Sequence, residues 1–325
     1  MFKKRIKMLA LATVVVAGAV GLVGCSGGKD AVEDDPFKVT LVLDAGGVND
    51  QSFNQSAWEG ALKAKEEFGI DVSYIESKQE SDYATNVETA IDNESDLVIG
   101  IGFKLLNTIE ESAKAHPDQQ FAIVDGVFEN EIPKNVTPIL FNEEQSGYTA
   151  GLVAGKMTKT NKVGFVGGMD IPSVTNFLIG FEKAIKEVNP EAKVVSQYAN
   201  SFTDSAKGKA ISNQMFNDGA DIVFTAGGGV NSGVYESASE LNKMAVGVDM
   251  PQNYIAPKTI ITSALKNVGT GVELTIKDAM NGTLKGGEVK LFDLSNGGVG
   301  FEKTDLIPQD VLEFVENKIN ELKQK

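Results

Sequence analysis

Residues 39–68 read Val39-Thr40-Leu41-Val42-Leu43, then Asp44-Ala45-Gly46-Gly47-Val48-Asn49-Asp50-Gln51-Ser52-Phe53-Asn54, then Gln55–Phe68. The first five residues are β-branched or aliphatic, the composition of a strand covered on both faces. The last stretch has the period of a helix. Ser52 and Gln55 form an S-x-x-Q capping box at its start, and Gly69 supplies the stop. Strand, glycine-rich turn and helix in this order predict a parallel βαβ unit.

The alternation continues outward from this unit. Further apolar runs fall at Val72–Ile75, Leu97–Ile101, Phe121–Val124 and Pro138–Phe141. After them come Lys162–Val166, Lys193–Gln197, Asp221–Thr225, Ala245–Val248 and Thr259–Thr262. Helical patterns separate most of them, at Tyr83–Asn93, Phe103–Ala115, Phe177–Val188, Ala206–Asn217 and Ser232–Leu241. Two sheets of about five strands suit this number better than one large sheet, with a break at Asn142–Gly147. The expected fold is therefore α/β: two Rossmann-like lobes with parallel sheets and a hinge. The first lobe is expected over 37–141, completed by about 266–290. The second is expected over 142–263, completed by the C-terminal segment.

In open α/β sheets ligands bind beyond the carboxyl ends of the strands. Here those positions hold Asp44, then Gly102, then Asp125 in the first half. In the second half they hold Gly167-Gly168, Gly227-Gly228-Gly229, Asp249, and Ser263 with Lys266 three residues on. Asp is common in turns, but three of them at strand ends point to a shared site. Ionised carboxylates only accept hydrogen bonds, which suits hydroxyls or base N–H groups. Phe53 at the mouth of the first helix and Phe202 in a comparable loop of the other lobe could sandwich a flat ligand, at roughly 1–3 kcal/mol per stack. Trp58, inside the helix, is read as packing.

The string Asp44-x-Gly-Gly-x-Asn49-Asp50-x-Ser52-Phe53-Asn54 resembles the basic membrane protein family. So do Gly167-Gly168-Met169, Gly180-Phe181, Gly247-Val248-Asp249 and Ser263-x-x-Lys266. This family comprises lipoprotein substrate-binding components of ABC importers, including purine nucleoside receptors. The resemblance implies a periplasmic-binding-protein fold of type I with three crossovers between lobes. It implies that Asp44 hydrogen-bonds a purine base, that Phe53 and Phe202 stack on it, and that Asn49 and Asn54 line the site. Asp125, Asp249, Lys266 and the Gly228 backbone would hold the ribose. The implied partners are a nucleoside and the transporter's membrane subunits, engaged by hinge closure of a monomeric receptor.

Composition narrows the chemistry independently. The only Arg is Arg5 and the only His is His116. Arg is the preferred fork for carboxylate and phosphate, so its absence beyond the leader favours an uncharged ligand. One His and one Cys cannot build a zinc site or a Cys-His pair, and no cofactor is expected. His116, in a turn-like stretch, is read as a solvated loop residue.

The N-terminus explains that lone cysteine. Lys3, Lys4, Arg5 and Lys7 precede the apolar run Met8–Val23, too short to span a membrane and laid out as a secretory signal. It ends in Leu22-Val23-Gly24-Cys25, which resembles the bacterial lipoprotein signal. Residues 1–24 are thus the expected leader, Cys25 the lipidated residue, and 25–36 a flexible tether. The chain would be lipid-anchored to the cell membrane on its extracytoplasmic face. Without the leader, 26 Lys face 45 Asp and Glu, a net charge of −19. Such a surface opposes nucleic-acid binding.

Other classes stay open at this point. A sugar receptor of the same fold would also use Asp and aromatic rings. A nucleoside hydrolase would use two carboxylates. A surface signalling lipoprotein would need no small ligand. Gly227-Gly228-Gly229 lacks the third glycine of a dinucleotide fingerprint, and 151–157 is one residue short of a phosphate-binding loop. The small residues of 151–157 instead suit close helix packing. The chain is read as a receptor, not an enzyme.

Overall fold

The computed structural model describes residues 35–323, which form one compact unit from Pro36 onward. The expected leader, Cys25 and nearly all of the expected tether lie outside the described residues. The first sheet is built from β1 (Lys38–Leu43), β2 (Asp71–Glu76), β3 (Leu97–Ile101), β4 (Gln120–Val124) and β5 (Val136–Phe141). Helices α1 (Phe53–Phe68), α2 (Tyr83–Asp92) and α3 (Leu106–Ala115) connect them. After α4 (Glu143–Met157) the second sheet begins with β6 (Lys162–Gly167), α5 (Pro172–Val188), β7 (Lys193–Tyr198) and α6 (Ser205–Asn217). It continues with β8 (Ile222–Ala226), α7 (Val230–Glu240), β9 (Met244–Asp249) and β10 (Ile260–Lys266).

The chain then returns to the first lobe. Helix α8 (Val268–Met280) packs on α1, and β11 (Lys290–Phe292) adds to the first sheet beside β5. It crosses back once more, β12 (Val299–Phe301) pairing antiparallel with β10 before α9 (Gln309–Lys323). The sheet orders are β11-β5-β4-β3-β1-β2 and β12-β10-β9-β8-β6-β7. Three crossings join the lobes: at Asn142, at Asn267, and between Phe292 and Val299. This is the two-lobed α/β architecture of periplasmic binding proteins.

Strand composition explains these orders. The central strands β3, β4 and β8 are apolar and buried along nearly their whole length, as strands covered on both faces must be. The edge strands β2 (DVSYIE) and β7 (KVVSQY) are polar and largely exposed. Charged edges discourage pairing with another chain.

Three local readings need correction. Residues 143–147 are the first turn of α4, so the break between lobes is Asn142 alone, whose Oδ1 accepts from the Gln145 N–H at 3.0 Å. The Ser52–Gln55 capping box does not form: Ser52 makes no side-chain cap bond. Asp50 caps α1 instead, accepting from the backbone N–H groups of Asn54 at 2.9 Å and Gln55 at 3.1 Å. His116 is half-buried, its Nε2 hydrogen-bonded to the Glu88 carboxylate at 3.0 Å. The stop at Gly69 is as expected, with φ 67° and its N–H on the Lys65 carbonyl at 2.9 Å.

The small residues of 147–155 let α4 lie against α5. A Cβ on Gly180 of α5 would come within 1.9 Å of the Glu144 carbonyl oxygen, and one on Gly147 within 2.0 Å of the Phe177 carbonyl oxygen. Backbone cannot yield as a side chain can. Gly180→Ala is therefore expected to force the helices apart and destabilise the protein by about 1–3 kcal/mol. Reversible denaturant unfolding would show it, and an unchanged midpoint would contradict the packing.

Candidate functional site

The carboxyl ends of both sheets face a single cleft with about 600 Å³ of space not filled by protein atoms, part of it open to solvent. From the first lobe it is lined by Asp44, Gly46, Asp50, Phe53, Asn54, Gly102, Phe103 and Asp125. From the second come Ser173, Phe177, Phe202, Gly228, Asp249 and Lys266, among others. Every residue expected at the site from the sequence is here except Asn49, which is exposed and does not line the cleft. The turn after β1 points Asn49 outward while its neighbour Asp50 turns in.

That turn is ordered by carboxylates. Asp44 Oδ1 accepts from the Gly46 N–H at 2.9 Å and from Asn54 Nδ2 at 2.9 Å. Asn54 Nδ2 also donates to Asp50 Oδ2 at 3.1 Å. Two acceptor-only groups thus dictate which way the Asn54 amide faces. Its Oδ1 is left buried without a partner. Burial pushes the Asp50 pKa up, against the backbone N–H bonds that pull it down. Gly102 sits at φ 104°, and a side chain there would meet Asp44 and Phe53.

In the second lobe the Phe202 loop is tied to two glycine segments. Its carbonyl accepts from the Gly229 N–H at 2.8 Å, and the Ser201 N–H donates to the Gly168 carbonyl at 3.1 Å. A Cβ on Gly168 would strike the Phe202 ring at 2.4 Å. Asn231 Oδ1 fixes the glycine loop by accepting from the Gly227 N–H at 2.9 Å. Across the cleft, Phe103 meets Phe202 edge-on with ring centroids 6.5 Å apart.

The charged end of the cleft is unusual in being almost wholly buried. Lys266 Nζ donates to Asp125 Oδ2 at 2.6 Å and to Glu143 Oε1 at 2.9 Å, with side-chain exposures of 2%, 8% and 7% for Lys266, Asp125 and Glu143. Burial opposes the Lys266 ammonium, but the Asp125, Glu143 and Asp249 carboxylates outweigh it and hold its pKa above the usual lysine range. Asp249 is also buried and accepts from the Ser52 hydroxyl of the first lobe. Burial pushes its carboxyl up to about 7, against the opposing pull of Lys266. Asp125 and Asp249 both adopt positive φ, 61° and 65°. For non-glycine residues such backbone is uncommon and clusters at functional sites.

Sequence reasoning missed Asp50, Phe103 and Glu143. The strand-end rule would have found the last two: Phe103 follows β3 after one glycine, and Glu143 follows β5 after one asparagine. Trp58 packs edge-on against Tyr74 at 4.8 Å, outside the cleft, as expected.

Residues 37–325 match the family model Bmp, described as ABC transporter substrate-binding protein PnrA-like. The CD4+ T-cell-stimulating antigen of Listeria innocua is 39% identical, the alignment covering 99% of this chain and 96% of that protein. The ABC transporter nucleoside-binding protein BmpA of Lactococcus lactis is 38% identical, covering 91% of each. A crystal structure of an ABC transporter solute-binding protein from Aeropyrum pernix superimposes with a TM-score of 0.78 at 28% identity, over 89% of this chain and 91% of that one. Sequence and architecture agree: the chain belongs to the Bmp family of PnrA-like ABC transporter substrate-binding proteins.

Proposed function

We propose that this receptor captures a nucleoside, a purine ribonucleoside in particular, in the cleft and presents it to an ABC importer. The observation that carries the reading is the convergence of aromatic rings and acceptor-only carboxylates from both lobes on one cavity holding a single lysine. An uncharged ligand with a flat base and a hydroxylated sugar matches that lining. Asp44 and Asn54 would meet the base edge, Phe53 and Phe202 its faces. Asp125, Asp249, Lys266 and the Gly228 backbone would meet the sugar. The nucleoside-binding relative supports the same reading. The closing bodies are the lobes over 37–141 and 142–263, each completed by C-terminal segments. Ligand bridging both lobes favours the closed form by its differential affinity. Lipidation of Cys25 would hold the receptor at the extracytoplasmic membrane face beside its transporter.

A nucleoside of about 20 heavy atoms, at roughly 0.3–0.5 kcal/mol per atom, gives about −6 to −10 kcal/mol, or tens of micromolar to tens of nanomolar. The test is calorimetric titration of protein unfolded and refolded to strip carried-over ligand, with guanosine, adenosine, inosine, uridine, ribose and a neutral hexose. Saturable one-to-one binding of a purine nucleoside, recovered without release of free base, is expected. Binding of a sugar alone would move the protein to the sugar receptors. Asp44→Ala and Phe53→Ala are each expected to weaken nucleoside binding at least about tenfold, roughly 1.4 kcal/mol. Unchanged affinity in both would remove the site assignment.

A further inference from the structure

Lys266 ends β10, immediately before the crossing at Asn267, and Glu143 opens α4, immediately after the crossing at Asn142. Both are carried by the second lobe, since α4 packs on α5 and β10 lies in the second sheet. Asp125, at the end of β4, belongs to the first lobe. Lys266 is thus bonded to one carboxylate on its own lobe, Glu143, and one on the opposite lobe, Asp125, while Asp249, also on its own lobe, acts on it without a direct bond. Glu143 does not line the cleft, whereas Lys266 and Asp125 do.

An ammonium has three N–H donors. Glu143 takes one at 2.9 Å and Asp125 another at 2.6 Å. One remains; the Lys266 Nζ lies 5.4 Å from the centroids of both the Phe53 and the Phe141 rings, and of these Phe53 lines the cleft, as does Lys266 itself. Asp125 in turn keeps Oδ1 buried and without a partner. A donor and an acceptor therefore stand side by side, the pair that a hydroxyl group satisfies.

We propose that Glu143 is a positioning residue: from behind the cleft it anchors the Lys266 ammonium to the second lobe, so that one N–H stays aimed at a ligand hydroxyl and Asp125 Oδ1 stays free to accept from it. When the lobes part, Asp125 leaves and Glu143 remains, so Lys266 keeps its place and charge in the open receptor. Without Glu143 the ammonium shifts toward the remaining carboxylates, Asp125 and Asp249, and occupies the acceptors that ligand hydroxyls need. Only the ligand consequence rests on the nucleoside reading. The anchoring itself does not.

The test uses the full chain with Glu143→Gln, which keeps the shape and an acceptor oxygen but removes the charge, and Glu143→Asp, which keeps the charge. First, ligand-free protein is pulse-acetylated with acetic anhydride at pH 9 and each lysine is quantified by mass spectrometry. Glu143→Gln is expected to raise acetylation of Lys266, relative to the other lysines, by about fivefold or more, because the ammonium loses the one carboxylate of its own lobe that is bonded to it directly. Glu143→Asp should stay near the wild type. An unchanged Lys266 ratio in Glu143→Gln overturns the proposal, whether or not any nucleoside binds. Second, guanosine and 2′,3′-dideoxyguanosine are titrated. Glu143→Gln should weaken guanosine by about tenfold and the dideoxy compound by less than about twofold. Equal loss for both would show that Glu143 supports the fold rather than the sugar contact, and would overturn the positioning role. Failure of the wild type to bind any nucleoside of the panel above would sink the nucleoside reading and leave the acetylation result to decide the anchoring.

Discussion

Lys266→Met is expected to destabilise the protein by about 3–5 kcal/mol near pH 8. Met fills the space of the lysine stem, so the packing change is small. What is lost is the one cation among Asp125, Glu143 and Asp249, the first two bonded to it directly. Removing one partner from a buried ion cluster leaves the rest without compensation, and that cost exceeds the worth of the pair itself. For a chain of this size the melting temperature should fall by about 5–10 °C. The deficit should shrink toward pH 4, because the stranded carboxylates then take up protons. A melting temperature within about 1 °C of the wild type at pH 8 would contradict the buried triad.

Asp249→Asn should act in the opposite direction and with the opposite pH profile. The folded-state carboxyl titrates near 7, raised first by burial, against an ordinary value of 3.8. Between those values the folded protein holds a proton that the unfolded chain has released. The stability linked to that proton is complete below about pH 4 and is lost as pH rises through 7. Across that window the loss from this one group is about 4 kcal/mol. Asn stays neutral throughout and can still accept from the Ser52 hydroxyl. The variant should therefore match the wild type near pH 4 and exceed it by up to about 4 kcal/mol above pH 7. Denaturant titrations of ligand-free protein at pH 4.5, 6 and 8 measure the difference. A constant difference across that range would show that Asp249 ionises freely. Nucleoside affinity should fall in the same variant, since an amide cannot replace both acceptor oxygens.

The strand–helix alternation from Val39 to Thr262 was legible because it is encoded locally. Side-chain periods of 2 and 3.6 and glycine stops depend on near neighbours in the chain. So was the gathering of Asp44, Asp125, Asp249 and Lys266 at one cleft, because parallel strands all present the same end. The Ser52 cap was misread for the converse reason. A short polar side chain can bond its own helix or a distant group, and here Asp249, 197 residues away, takes the hydroxyl.

By itself the sequence determined the fold class, the acidic character and the confinement of Arg to position 5, and with these the expectation of a cleft for an uncharged, hydroxyl-bearing ligand. Only the assembled structure decided that β11 pairs beside β5 and β12 runs antiparallel to β10, that Asp50 rather than Asn49 turns inward, and that Glu143 stands behind Lys266. The strand pairings and the Lys266 contacts join segments far apart in the chain, as with Lys266 and Asp125 at a separation of 141 residues, whereas Asp50 is held by local bonds from Ser52, Asn54 and Gln55. Closing such distances is governed by burial and charge compensation in the assembled protein, which no local pattern carries.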